Sequence, residues 1–202
     1  MQPILHSPES KGEGPHTWEE FVALDEDDLR ELIDGELVEV EVPSERHERI
    51  VGLLVYFLTA WALPIRAGYA YVSGYKVRID RKRGVMPDVQ FFRRDNPANK
   101  NQQGVTEGRP DLVVEVLSPS SRSYDRVRKQ DWYLKIGVPE YWIVDPEAHT
   151  LERLVAREGA YVHAGGFEGE VTFSPESFPG LSIPLAELWR DPDQAPSTSH
   201  GS

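Results

Sequence analysis

Cysteine is absent from all 202 residues. Its absence excludes a disulfide framework, a thiolate zinc site and a cysteine nucleophile, and fits a chain that works in the cytoplasm. Long apolar runs are also scarce. The most apolar stretch, IVGLLVYFLTAWALPI at 50–65, falls short of the roughly 18 residues expected of a membrane span and follows the polar SERHER, so it predicts a buried helix. Residues 1–10, MQPILHSPES, lack the basic start and apolar stretch of an export signal. There is no glycine-rich phosphate loop, no G-x-S-x-G elbow and no pair of histidines at zinc-ligand spacing, and the corresponding enzyme classes lose support.

The formal net charge is −12, but the acidity is local. Residues 1–48 hold 15 acidic and 3 basic side chains, and the remainder is balanced at 19 of each. Within that balanced part, KVRIDRKRG (76–84) and RSYDRVRKQ (122–130) are strongly basic. Such runs are either solvated surface or phosphate contacts, and the candidates for the second role are Arg78, Arg81, Arg122, Arg126 and Arg128.

The length suggests one domain, over 16–190, between a disordered lead (1–15) rich in Pro, Gly and Glu and a disordered tail (191–202). Thr17 and Glu20 form a capping box for a short helix. ELIDGELVEV carries a type I′ hairpin signal at Asp34-Gly35. Ser44 caps a helix that runs until Pro64 and whose second half is apolar on nearly every face, as suits a core or a partner subunit. YAYVSG, YKVRID and PDVQFF read as consecutive strands of a meander, and 93–110 as a long polar loop or flap. DLVVEVLS is a strand with both faces covered. A helix from Tyr124 to Ile136 follows, with Ser123 as N-cap and Gly137 just past its end, and then come the strands EYWIVD, TLERLVA and AYVHA. The pattern predicts an α/β (α+β) fold with a mixed central sheet flanked by helices, and a right-handed crossover joining DLVVEVLS to EYWIVD.

One charge interrupts the most apolar strand. Glu115 must be paired, hydrogen-bonded or bound to a metal, and Asp88, at the entrance of a neighbouring strand, is its natural companion. Two carboxylates side by side suit a hard cation such as Mg²⁺ or Mn²⁺; the alternative is an ion pair with a nearby Lys or Arg. Asp125, Lys129 and Tyr133 are spaced by four and share a helix face that the crossover could turn toward Glu115. Two acids and a lysine suffice for metal-assisted hydrolysis of a phosphodiester. The alternative there is an ordinary exposed helical face.

ELIDGELVE, His47, PDVQFF, PDLVVEVLSPSSR, the D…K…Y spacing, GVPEYWIVDP and FPGLSIPL together resemble the Uma-two family of restriction-endonuclease-like proteins, over roughly residues 17–189. The resemblance implies a PD-(D/E)XK nuclease-like fold with Asp88 as the first acid and Glu115 as the second. The superfamily's usual lysine position, two residues after the second acid, is Leu117 here, and the resemblance implies that Lys129 replaces it from the following helix. It also matches His47 and Glu36, and it suggests a homodimer. His47 could approach the metal or phosphate, or lie at the surface.

The expectation is therefore a Mg²⁺- or Mn²⁺-dependent endonuclease acting on nucleic acid, with DNA favoured. Asp88 and Glu115 would be the metal ligands, Lys129 the catalytic base or water-orienting group, and His47 a further catalytic residue. The rival expectations are a catalytically inactive protein of the same fold acting in binding or assembly, and a metal-dependent hydrolase of another substrate.

Overall fold

In the computed structural model, the described residues are 14–25, 28–40, 42–72, 74–118 and 124–191, with backbone alone for 124–127. The expected lead, apart from its last two residues, and the tail beyond 191 lie outside them, as do Ser123, Arg122 and the side chains of Asp125 and Arg126.

Helix α1 (Trp18–Val22) begins where the sequence places it, with the Thr17 N–H donating to Glu20 Oε2 at 2.8 Å. Strands β1 (Glu31–Ile33) and β2 (Glu36–Val38) form the hairpin, and both turn residues, Asp34 and Gly35, have positive φ, as a type I′ turn requires. Helix α2 (Glu45–Ile65) is capped by Ser44, whose Oγ accepts the His47 N–H at 3.2 Å. Pro64 does not stop it, because the helix carries one residue further and ends at Arg66 in the left-handed region. Nor is it buried all round. Ile50, Leu54, Leu58 and Ala62 lie in the core, whereas Tyr56, Leu63 and Ile65 are exposed.

The remaining strands are β3 (Gly68–Val72), β4 (Lys76–Asp80), β5 (Arg83–Val85), β6 (Val89–Arg93), β7 (Asn99–Lys100), β8 (Gly104–Glu107) and β9 (Leu112–Val116). Helix α3 (Tyr124–Lys135) follows, then β10 (Glu140–Asp145), β11 (Thr150–Arg157), β12 (Ala160–Glu168), β13 (Thr172–Phe173), β14 (Ile183–Pro184) and α4 (Leu185–Trp189). The expected mixed sheet is one of two six-stranded sheets. Its order is β12-β11-β10-β9-β6-β3, with β9 and β10 parallel and its other neighbours antiparallel. The second has the order β2-β1-β5-β4-β8-β7.

The expected meander is thus corrected. β3 pairs with β6, while β4 belongs to the other sheet and pairs with β5 and β8. The short β5, hidden in the basic run, receives β4 and returns the chain toward β6. The polar segment 93–110 is not an open loop either, since β7 and β8 extend the second sheet.

The alternation along β9 explains why its apolar run must be continuous. Leu112, Val114 and Val116 pack with α2 and the C-terminal residues Phe173, Phe178 and Leu188 on one face. Val113 and Leu117 pack on the other with Trp132 and Tyr133 of α3 and with Val77 and Val105 of the second sheet. At roughly 1.5–3 kcal/mol for each large apolar side chain buried, either face alone contributes substantially to stability. Glu115 lies on the second face, between β9 and α3. Gly137 takes φ +80 just after α3, and its N–H donates to the Leu134 carbonyl at 2.9 Å, closing the helix as expected.

Gly84 is required by packing. A Cβ there would stand 2.8 Å from the rings of Phe21 and Trp18, so its absence lets α1 lie flat on the second sheet. Elsewhere Glu140, at the start of β10, is a buried carboxylate with a one-to-one partner: Arg153 Nε donates to it at 2.8 Å, as does the Trp142 indole, and Ser177 adds a further hydrogen bond. That pair is structural. Its matched charge is the contrast against which Glu115 is judged.

Candidate metal and phosphodiester site

The stretch Met86–Asp88 carries the chain from β5 in one sheet to β6 in the other, and Pro87 denies either ladder an amide donor. Asp88 thereby stands where the chain passes from one sheet to the other. Val89 pairs with Val114 in antiparallel register, so one step further Asp88 faces Glu115, at a spacing of about 5 Å between Cβ atoms in such pairs. Its Oδ2 accepts the Val116 N–H at 2.7 Å and lies 3.3 Å from His47 Nε2. The first turn of α2 thus brings a largely buried histidine against the carboxylate. His47 Nδ1 is 3.6 Å from the exposed Glu48 and has no hydrogen-bond partner among the described residues.

Glu115 is 8% exposed. Tyr133 donates its hydroxyl proton to Oε1, and Lys129 Nζ lies 3.4 Å from the same oxygen and 3.5 Å from Oε2. Lys129 and Tyr133, one turn apart on α3, do share the face turned to β9. A third carboxylate completes the cluster. Glu31 of β1 lies 3.1 Å from Lys129 Nζ and accepts the Met86 N–H at 3.0 Å. Glu36, which the resemblance singled out, is instead an exposed residue of β2. Glu31 opens a strand of only three residues, so no alternation in the sequence marked it as inward.

Three carboxylates around one lysine leave an excess of negative charge in a poorly hydrated place. Burial, reinforced by Asp88 and Glu31 and only partly offset by Lys129, pushes the Glu115 carboxyl up to about 8. Burial opposes the charge on Lys129, but Glu115, Glu31 and Asp88 outweigh it and hold its ammonium proton well above the ordinary lysine range. Burial likewise opposes protonation of His47, and Asp88 and Glu48 reverse the balance, raising it above 6.5.

The raised Glu115 has a consequence for stability. Between about 4.5 and 8 the native carboxyl holds a proton that the unfolded chain has released, so this group's contribution falls as pH rises through that window and levels off above it. Glu115→Gln removes the slope. In urea unfolding with chelator present, its stability relative to wild type is expected to improve by ~1–3 kcal/mol between pH 5.5 and 8.5. A constant difference across that range counts against the buried, charge-crowded carboxyl.

Glu31, His47, Asp88, Glu115 and Lys129 all line one cavity of about 570 Å³. Leu117 lines it too, on the β9 face shared with Glu115. Of the arginines expected to contact phosphate, Arg78, Arg81 and Arg128 are not among its lining residues. Arg78 is 3.5 Å from Glu19 and stacks near Trp18, Arg128 is 4.0 Å from Asp34, and Arg81 is exposed in the turn after β4.

A family profile described as "Uma2: Putative restriction endonuclease" matches residues 18–186. The chain belongs to the Uma2 family. This Uma2 chain is 26% identical over 153 residues to an uncharacterised protein of Synechocystis, covering 71% of this chain and 83% of that one. A crystal structure described as "a putative nuclease belonging to DUF820" from Anabaena variabilis superimposes with a TM-score of 0.71 at 20% identity, over 87% of this chain and 98% of that one. The fold is restriction-endonuclease-like, and Uma2 membership makes the chain nuclease-like in kind.

Proposed function

We propose that the chain hydrolyses phosphodiester bonds of nucleic acid with a divalent cation, Mg²⁺ or Mn²⁺, held by Asp88 and Glu115. The observation that carries this reading is the convergence of three inward carboxylates, Glu31, Asp88 and Glu115, on one cavity, with Lys129 and the titratable His47 to offset them. A purely structural network has no need of the surplus, as the matched Glu140–Arg153 pair shows. Among the described residues no three His, Cys, Asp or Glu side chains form a ready ligand set, and hard oxygen donors that leave positions to water and substrate suit Mg²⁺ better than a dedicated cage would. Bound there, the cation supplies polarisation of the phosphate and a more acidic water.

Lys129 is an ammonium in this setting, which favours the orienting role over the basic one. It would hold the attacking water and balance charge on the phosphate. His47 would keep Asp88 aimed into the cavity and supply a proton near it. In the reaction a water oxygen bonds to phosphorus, one phosphorus–oxygen ester bond breaks, and the water's proton ends on the departing oxygen. DNA is the favoured substrate, with Arg128 of α3 offered to its phosphates. The exposed Tyr56, Leu63 and Ile65 of α2 suit a second copy of the chain.

The test is calorimetric titration with Mn²⁺ alongside cleavage assays on DNA and RNA. Specific binding of one or two ions with metal-dependent cleavage is expected. Absence of both supports the inactive, binding or assembly reading, and tight Mn²⁺ binding with no nucleic-acid cleavage points to a hydrolase of another substrate.

A further inference from the structure

The part of the cavity away from the carboxylates is lined differently. Val38 ends β2, and Val40 and Val42 follow at every second position of the chain. Val38, Val40 and Val42 line the cavity together with Leu29, and all four are exposed, Val42 to 83%. They account for four of the eleven large apolar side chains left exposed among the described residues, which makes this a concentration rather than scatter. An apolar ridge left open beside a charged site asks for a ligand with an apolar face.

We propose that this ridge is a base-binding wall, so that the substrate is an unpaired nucleotide, single-stranded or turned out of a duplex, with its phosphate at Asp88, Glu115 and Lys129. The inference rests on the phosphodiester reading and adds the substrate class. A cavity of about 570 Å³ falls in the range of single small ligands, ~300–1,000 Å³, and admits one nucleotide where an intact duplex does not enter. A base's flat face packs on aliphatic side chains. Charge points the same way: the described lining carries the exposed Glu39 and Glu48, and such negative charge disfavours two phosphate backbones more than one.

The experiment compares one fluorescent oligonucleotide in three forms, single-stranded, fully paired and paired with one unpaired bulge, in Mn²⁺. It uses wild type, Val40→Asp and Val42→Asp. Wild type is expected to cleave the single strand and the bulge at least tenfold faster than the duplex. Each variant is expected to raise KM for the single strand about tenfold or more while leaving Mn²⁺ affinity and thermal midpoint unchanged, because both side chains are exposed. Preference for the paired duplex, or variants with wild-type KM, overturns the base wall and leaves the nuclease reading standing. Cleavage of none of the three forms by wild type that binds Mn²⁺ overturns both, and apolar-ridge variants that change only self-association in sedimentation assign the ridge to a second copy and overturn it as well.

Discussion

Lys129→Met is expected to lower the thermal midpoint by roughly 10 °C in metal-free buffer above pH 8, corresponding to ~3–5 kcal/mol for a buried charge partner removed. The variant keeps a side chain of similar length, so lost packing contributes little. What it removes is the cation lying 3.1 Å from Glu31 and 3.4 Å from Glu115. The loss depends on pH in a defined direction. Glu115 already holds its proton up to about 8, and without Lys129 it holds it higher still, so the penalty shrinks as pH falls and the cluster sheds charge. Divalent cation is expected to do the same from the other side, restoring the midpoint by supplying positive charge among the acids. Thermal scans at pH 6 and 9, with EDTA and with Mn²⁺, check both arms. Equal stability of variant and wild type at pH 9 contradicts the crowded-carboxylate account, and failure of Mn²⁺ to rescue contradicts its role as a cation site.

Asp88→Asn is expected to lower metal-dependent cleavage by ~10²–10³-fold or more and to abolish specific Mn²⁺ binding. Asparagine is the informative choice because its side-chain oxygen can still accept the Val116 N–H now received by Oδ2 at 2.7 Å. The β6 entrance is therefore retained while the negative charge is lost. The variant also leaves His47 without its carboxylate, so its protonation should fall back toward neutral behaviour, visible by NMR as a lowered titration midpoint. Wild-type turnover in this variant removes Asp88 from the chemistry.

Local signals located most elements because they do not depend on the rest of the chain. The Thr17–Glu20 box, the Asp34-Gly35 turn, the Ser44 cap and Gly137 each act within a few residues, and each element they bound is present. Sheet membership was not legible in the same way. β3 and β4 look alike as alternating strands, and only the turn at β5 and the crossing at Pro87 decide that they belong to different sheets. For the site, a charge in a covered strand exposed Glu115, and spacing by four exposed Lys129 and Tyr133. Glu31 escaped because its strand is three residues long, too short for an inward charge to break any visible rhythm. The protonation of Lys129 was beyond reach for the same reason, since it needs all three acids counted at once.

Leu117 gives the absence of an in-line lysine a different meaning. It sits two residues past Glu115, on the same flank of β9, and borders the same cavity that Lys129 enters from α3. The pocket thus has two addresses from which a side chain can reach its centre, one at the end of a strand and one on the neighbouring helix, and this chain fills the first with an apolar group and the second with its cation.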